Sequence, residues 1–216
     1  MRINHTVAVS LSIAMLAFTL SCSSDNEDVR CPDAVTSEGA VSCGGQTYRT
    51  VQIGTQTWMA ENLNYNANAS KCYANDPAYC NIYGRLYNWE TAKNTCPNGW
   101  HLPSQAEWET LTNYTINIGL ETQEYLSAGE YLKATTGWNA GNGNDRYSFT
   151  ALPGGSGNAD GSFNSITGDV GDSGYWWTTT NKGGEGPANI FMNYSDNVDV
   201  MYTNKSNLYS VRCIKD

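Results

Sequence analysis

Histidine is almost missing from this chain: 216 residues hold two, His5 and His101. No C-x-x-C pair occurs either, which argues against the ligand sets of a tetrahedral zinc site. Basic residues are few and scattered, 12 Lys+Arg against 21 Asp+Glu, so the phosphate neutralisation that nucleic-acid binding needs has no source. Gly154, Gly155 and Gly157 lack the following helix or lysine of a phosphate loop. The longest uncharged apolar run, Val7 to Leu20, is too short to cross a bilayer as a helix. His101 is the only imidazole base outside the first 21 residues. It lies between Trp100 and Leu102 and reads as a buried, hydrogen-bonded structural residue. Acidic residues are spread along the chain, and no pair stands out as the acid and base of a glycosidase. The expectation is a protein that is not an enzyme and takes no cofactor and no metal.

What is present begins at the N-terminus. Arg2, the apolar run, then Ser21-Cys22 have the layout of a secretory signal. A cysteine after a small residue resembles the lipobox of bacterial lipoproteins, with Thr19 in the place of the usual large apolar residue. That resemblance implies lipidation at Cys22, attachment to a membrane through lipid, and an outer-membrane location. Residues 1–21 are thus read as signal and 22–45 as a flexible acidic tether with a cysteine-closed loop. Residues 46–216 are read as one domain, an ordinary size for a single core. Beyond residue 21 the chain holds 11 basic and 21 acidic residues, a net of −10.

Setting Cys22 aside leaves six cysteines, an even number that reads as disulfides outside the cytoplasm. Spacing suggests Cys31–Cys43 and Cys72–Cys80 as local pairs, which leaves Cys96–Cys213.

Alternation predicts a strand over Tyr48–Gly54 and a short one at Thr57–Met59. Residues 64–82 are Asn- and Ala-rich and read as a stapled surface loop. Leu86, Trp89 and Ala92 predict a helix within Gly84–Asn94. Ser104 and Glu107 form a capping box for a second helix, with Trp108, Leu111 and Thr115 on one face. A third short helix is expected over Ala128–Ala134. From Gly137 to Gly174 only Tyr147–Leu152 looks strand-like, and so long a loop is often functional. Strands follow at Gly174–Thr180, Ile190–Tyr194, Val198–Tyr202 and Leu208–Ile214. The fold class is α+β: small, mostly antiparallel sheets, two main helices and a long loop region, stapled by disulfides.

Six ordered blocks carry a family resemblance. They are Trp58-Met59-Ala60-Glu61-Asn62-Leu63, Gly84-Arg85-Leu86-Tyr87-Asn88-Trp89, Cys96-Pro97-Asn98-Gly99-Trp100-His101-Leu102-Pro103-Ser104, Glu107-Trp108, Tyr175-Trp176-Trp177 and Val211-Arg212-Cys213-Ile214-Lys215-Asp216. From about Tyr48 onward the chain resembles the Fibrobacter succinogenes major paralogous domain. That family in turn resembles the C-type lectin-like fold and its branch of formylglycine-generating enzymes. The resemblance implies a disulfide from the end of the first helix to the last strand, the places of Cys96 and Cys213. It also offers two function classes. Thiol chemistry needs a free thiolate, and each of the six cysteines after Cys22 has a disulfide partner to take. A calcium-dependent sugar site needs carboxylate and amide motifs that are not matched by Glu185-Gly186-Pro187-Ala188-Asn189 or by Trp138-Asn139-Ala140. The oxygen-rich stretches Asn142–Asp145, Asn158–Asp160 and Asp169–Asp172 read as turns.

A non-catalytic module that binds a glycan or a protein partner therefore leads. A structural envelope lipoprotein without a ligand, or an enzyme related to formylglycine-generating oxidases, are the alternatives. Trp138, Tyr194, Tyr202 and Tyr209 are the candidate contact residues. Trp176 and Trp177 face opposite ways on one strand, so one of them is expected at the surface. Ala188–Ser210 is rich in Asn, Tyr and Ser, the composition of adaptable binding surfaces.

Overall fold

The computed structural model describes Met1 and residues 30–32, 35–121, 127–163 and 169–216. Residues 2–29, which take in Cys22 and nearly all of the expected signal, and residues 33 and 34 lie outside the described residues. Among the described residues no helix is long and apolar enough to cross a membrane.

Polar hairpin residues start the sheet earlier than the sequence reading placed it. β1 (Val35–Ser37) and β2 (Ala40–Cys43) pair antiparallel around Gly39, and β2 continues onto β3 (Gln46–Ile53). The Cys31–Cys43 bridge fastens that hairpin. β3 then pairs with β4 (Gln56–Met59). The stretch read as a surface loop contains a helix, α1 (Pro77–Tyr83). Asp76 caps it by accepting from the Ala78 N–H at 2.9 Å, and Pro77 supplies its first turn.

β5 (Leu86–Tyr87) and α2 (Trp89–Thr95) replace the single helix expected over Gly84–Asn94. Asn88 is the reason. Its extended backbone ends the strand, and its Oδ1 accepts from the Thr91 N–H at 2.9 Å to start the helix. β6 (Trp100–His101) leads into α3 (Gln105–Glu121). Here the capping box is complete: Ser104 donates through N–H and Oγ to Glu107 Oε2 at 2.7 and 2.8 Å, and Glu107 N–H donates to Ser104 Oγ at 3.2 Å. Trp108, Leu111 and Thr115 are buried, as their spacing predicts.

α4 (Ala128–Leu132) precedes the long loop region. Tyr147–Leu152 is not a strand. Ser148 and Thr150 have φ of 55° and 54°, which breaks the pleat, and only Ala151 forms a bridge, with Lys133. β7 (Gly174–Asn181), β8 (Pro187–Met192) and β9 (Asp199–Tyr202) then form a meander. Leu208–Ile214 splits into β10 (Tyr209–Ser210) and β11 (Ile214–Lys215), which join different sheets.

The result is α+β with two curled sheets in the orders β1-β2-β3-β4-β11-β6 and β5-β10-β7-β8-β9. All named pairings are antiparallel except β10 with β7. Three disulfides, Cys31–Cys43, Cys72–Cys80 and Cys96–Cys213, match the pairs expected from spacing. β7 separates two core clusters: Tyr175 and Trp177 point into one, Trp176 into the other. A strand covered on both faces shows neither side chain to water, so Trp176 and Trp177 are each 0% exposed.

Candidate functional site

The long loop folds against the β8–β9 connection and leaves a cleft of about 410 Å³ between them. Ala140, Asp169, Asp172 and Ser173 line it from the loop side; Phe191, Asn193 and Tyr194 line it from the other. The Tyr194 side of the cleft lies on the connection after β8, whose Phe191 ring packs on Tyr175 with centroids 4.9 Å apart. Tyr194 is 72% exposed, the most exposed aromatic side chain among the described residues.

Each carboxylate is held by a neighbour. Asp169 Oδ1 accepts from the Tyr73 hydroxyl at 2.9 Å, and Asp172 Oδ1 accepts from Asn139 Nδ2 at 3.0 Å. Burial, with the hydrogen bond and charge of Asp169, pushes Tyr73 up to about 12, so the phenol keeps its proton and stays a donor. The main chain is fixed as well: Asn139 N–H donates to Gly171 O at 2.8 Å, Gly171 N–H to Pro153 O at 2.9 Å, and Ser173 N–H to Asp169 O at 3.2 Å. Across the cleft, Asn193 Oδ1 accepts from the Ser195 N–H at 2.9 Å. The site therefore offers a flat ring, carboxylate oxygens and an amide on an ordered frame. That set can hold a ligand bearing hydroxyls and an apolar face.

Of the six candidate contact residues, Tyr194 alone lines this cleft. Trp138, Trp176 and Trp177 are buried, and their indole N–H groups donate inward, to Ala151 O at 3.0 Å, Asn62 Oδ1 at 2.8 Å and Tyr87 O at 2.6 Å. Tyr209 is buried in a stack, its ring 4.9 Å from Tyr175 and 4.5 Å from Trp177. These four face the core and present no open surface, because a large ring with one internal hydrogen bond gains most by burial. Tyr202 is half-buried; its hydroxyl donates to Gln105 Oε1 at 3.2 Å, and Lys182 Nζ lies over its ring at 4.5 Å. Asp169, Asp172, Asn193 and Phe191 were not picked out as contact residues. Their visible signs were regional: the oxygen-rich Asp169–Asp172 stretch in the long loop, and the Asn-, Tyr- and Ser-rich run Ala188–Ser210 that holds Phe191 and Asn193.

A second cluster gathers around His101, which is half-exposed rather than buried. Its Nδ1 lies 2.6 Å from Asp216 Oδ1 and its Nε2 2.8 Å from Glu107 Oε1. Burial lowers its pKa, but hydrogen bonds and charge from Asp216 and Glu107 outweigh this and raise it. The nearby Ser104 hydroxyl bonds Glu107 and not the imidazole, so no nucleophile–base pair is formed. Among the described residues no group of three His, Cys, Asp or Glu side chains could hold a metal ion.

Residues 51–215 match the family model of the Fibrobacter succinogenes major domain. The chain belongs to that family. No curated protein and no solved structure matches it. The Fibrobacter succinogenes major domain here takes in β4 to β11, both sides of the cleft and two of the three disulfides. The β1–β2 hairpin and its Cys31–Cys43 bridge precede the matched residues.

Proposed function

We propose that this member of the Fibrobacter succinogenes major domain family is a lipid-anchored protein of the outer membrane. Its C-type lectin-like domain binds a glycan in the Tyr194 cleft and catalyses no reaction on it. The observation that carries the binding reading is Tyr194 itself, an exposed ring on a tied-down segment beside two oriented carboxylates. Sugar rings present C–H faces that pack on aromatic rings, and hydroxyls that donate to carboxylate and amide oxygens. A site already ordered loses little entropy on binding. Six cysteines in three disulfides support an oxidising compartment. The lipobox-like Ser21-Cys22 supports the anchor.

The purified protein and its Tyr194→Ala variant should be compared on an array of envelope and extracellular polysaccharides. The residue is 72% exposed, so the variant keeps its melting temperature and loses about tenfold in capture, the effect of about 1.4 kcal/mol. Wild-type protein that retains no glycan, or a variant that binds equally, defeats the reading. Radiolabelled palmitate should enter the wild type and not Cys22→Ser; label in both, or in neither, removes the anchor.

A further inference from the structure

Lys133 follows α4 directly, and its side chain is 0% exposed. Its Nζ donates to Asn193 O at 3.3 Å, Ser195 O at 3.1 Å and Asp196 Oδ1 at 2.9 Å. An ammonium has three hydrogens, and these three oxygens take them. The Trp138 ring covers a further side, its centroid 5.3 Å from Nζ, which gives that buried indole a role away from any ligand. All three acceptors lie within the four residues 193–196, the segment that carries Tyr194. The backbone packing agrees. Gly129 N–H donates to Asp196 O at 2.9 Å. A Cβ at Gly141 would stand 2.1 Å from Tyr194 O, so only glycine lets the loop come this close.

We propose that Lys133 is a positioning residue of the cleft, an internal cation that holds segment 193–196 in place and so fixes Asn193 and Tyr194 opposite Asp169 and Asp172. This rests on the reading of the cleft as the binding site. The ammonium does for this loop what a bound calcium does elsewhere, drawing carbonyl and carboxylate oxygens around one charge. Removing it leaves the Asp196 carboxylate and two carbonyls turned toward an empty space, which frees the segment.

Hydrogen exchange of the 193–197 amides reads the clamp without any ligand, and capture on the polysaccharide array reads its effect on the cleft. Lys133→Ala removes the atoms of propylammonium, so that ion is the rescue probe; Lys133→Met keeps the stem and serves if the smaller variant folds poorly. The expected result is about tenfold faster exchange at 193–197, with far less change in α3 and β7. Capture falls to match, and both return toward wild type in Lys133→Ala with propylammonium. EDTA leaves wild-type exchange unaltered. Unchanged exchange in both variants, or failure of propylammonium to restore it, overturns the clamp. Faster exchange with full capture overturns the positioning role. Rescued exchange with no capture even by wild type overturns the cleft reading instead, and the positioning role with it.

Discussion

Arg212 takes its guanidinium into the core, 0% exposed. Its hydrogens go to Asn62 Oδ1 from Nε and Nη2 at 3.2 and 2.8 Å, to Met59 O from Nη1 at 3.3 Å, to Phe149 O, and to Thr150 O from Nη2 at 3.2 Å. Burial pulls its pKa down to about 9, against the opposing charges of Glu61 and Asp145. At neutral pH the charge remains, so oxygens of the chain must stand in for water. Two of those oxygens belong to Phe149 and Thr150, whose backbone a regular strand would have turned elsewhere. This explains why the alternation at Tyr147–Leu152 misleads: the fold uses that segment to cradle a cation. Lysine cannot copy a five-donor fork. Arg212→Lys is expected to lose at least two charged hydrogen bonds, about 3 kcal/mol or more. In urea unfolding the midpoint should fall with the slope unchanged. A midpoint equal to wild type would show that a point charge suffices.

Three elements meet at His101: β6 carries it, the first turn of α3 supplies Glu107, and Asp216 follows β11. A neutral imidazole donates from one nitrogen only, so one of its two carboxylates then faces a lone pair. The protonated ring satisfies both. Its pKa is raised in the folded protein, so its stabilising contribution is complete below the ordinary value of 6.5 and is lost as pH climbs through the higher folded value. Glu107 shows the opposite. Burial raises its pKa, but hydrogen bonds from Ser104 and His101 outweigh this and lower it, so its contribution is present above 4.5 and is lost as pH falls through the lower folded value. The clamp is strongest between 4.5 and 6.5. The imidazole is 39% exposed, so solvent screens the effect and salt should reduce it. The melting temperature of wild type should exceed that of His101→Gln most near pH 6, with the gap narrowing toward about pH 9. A gap that widens with pH would contradict the clamp. At this scale α3 was legible because its signals are local: a capping box and a periodic apolar face. α1 was not. Its only buried residue is Cys80, so no apolar stripe marks it, and Asp76-Pro77 was its one sign. The cleft was harder still. Lys133 bonds residues on both sides of Tyr194, and a single lysine after a five-residue helix carries no pattern that sequence periodicity can detect.

Over the whole molecule, the two sheets are joined where the chain leaves β10 for β11, and Cys213 sits in that crossing. Its bridge to Cys96 spans 117 residues, whereas Cys72–Cys80 spans 8. If the bridges act by shrinking the unfolded ensemble, their effects scale with those lengths: about 5 kcal/mol for the long loop and roughly 2.5 kcal/mol for the short one. The positions reinforce the difference. Cys96 and Cys213 are buried in the same core cluster as Trp177, Tyr87 and Leu102, so a chain that has lost this bridge must find the contact between its first helices and its last strands unaided. Cys72–Cys80 closes onto a helix beside Arg85, whose Nη1 lies 3.6 and 3.7 Å from the two sulfurs, and its loss loosens mainly that corner. Double alanine variants of each bridge, unfolded thermally under the same conditions, should therefore separate clearly, with Cys96→Ala/Cys213→Ala the less stable. Equal losses would mean that local native contacts, and not loop closure, set what these bridges contribute.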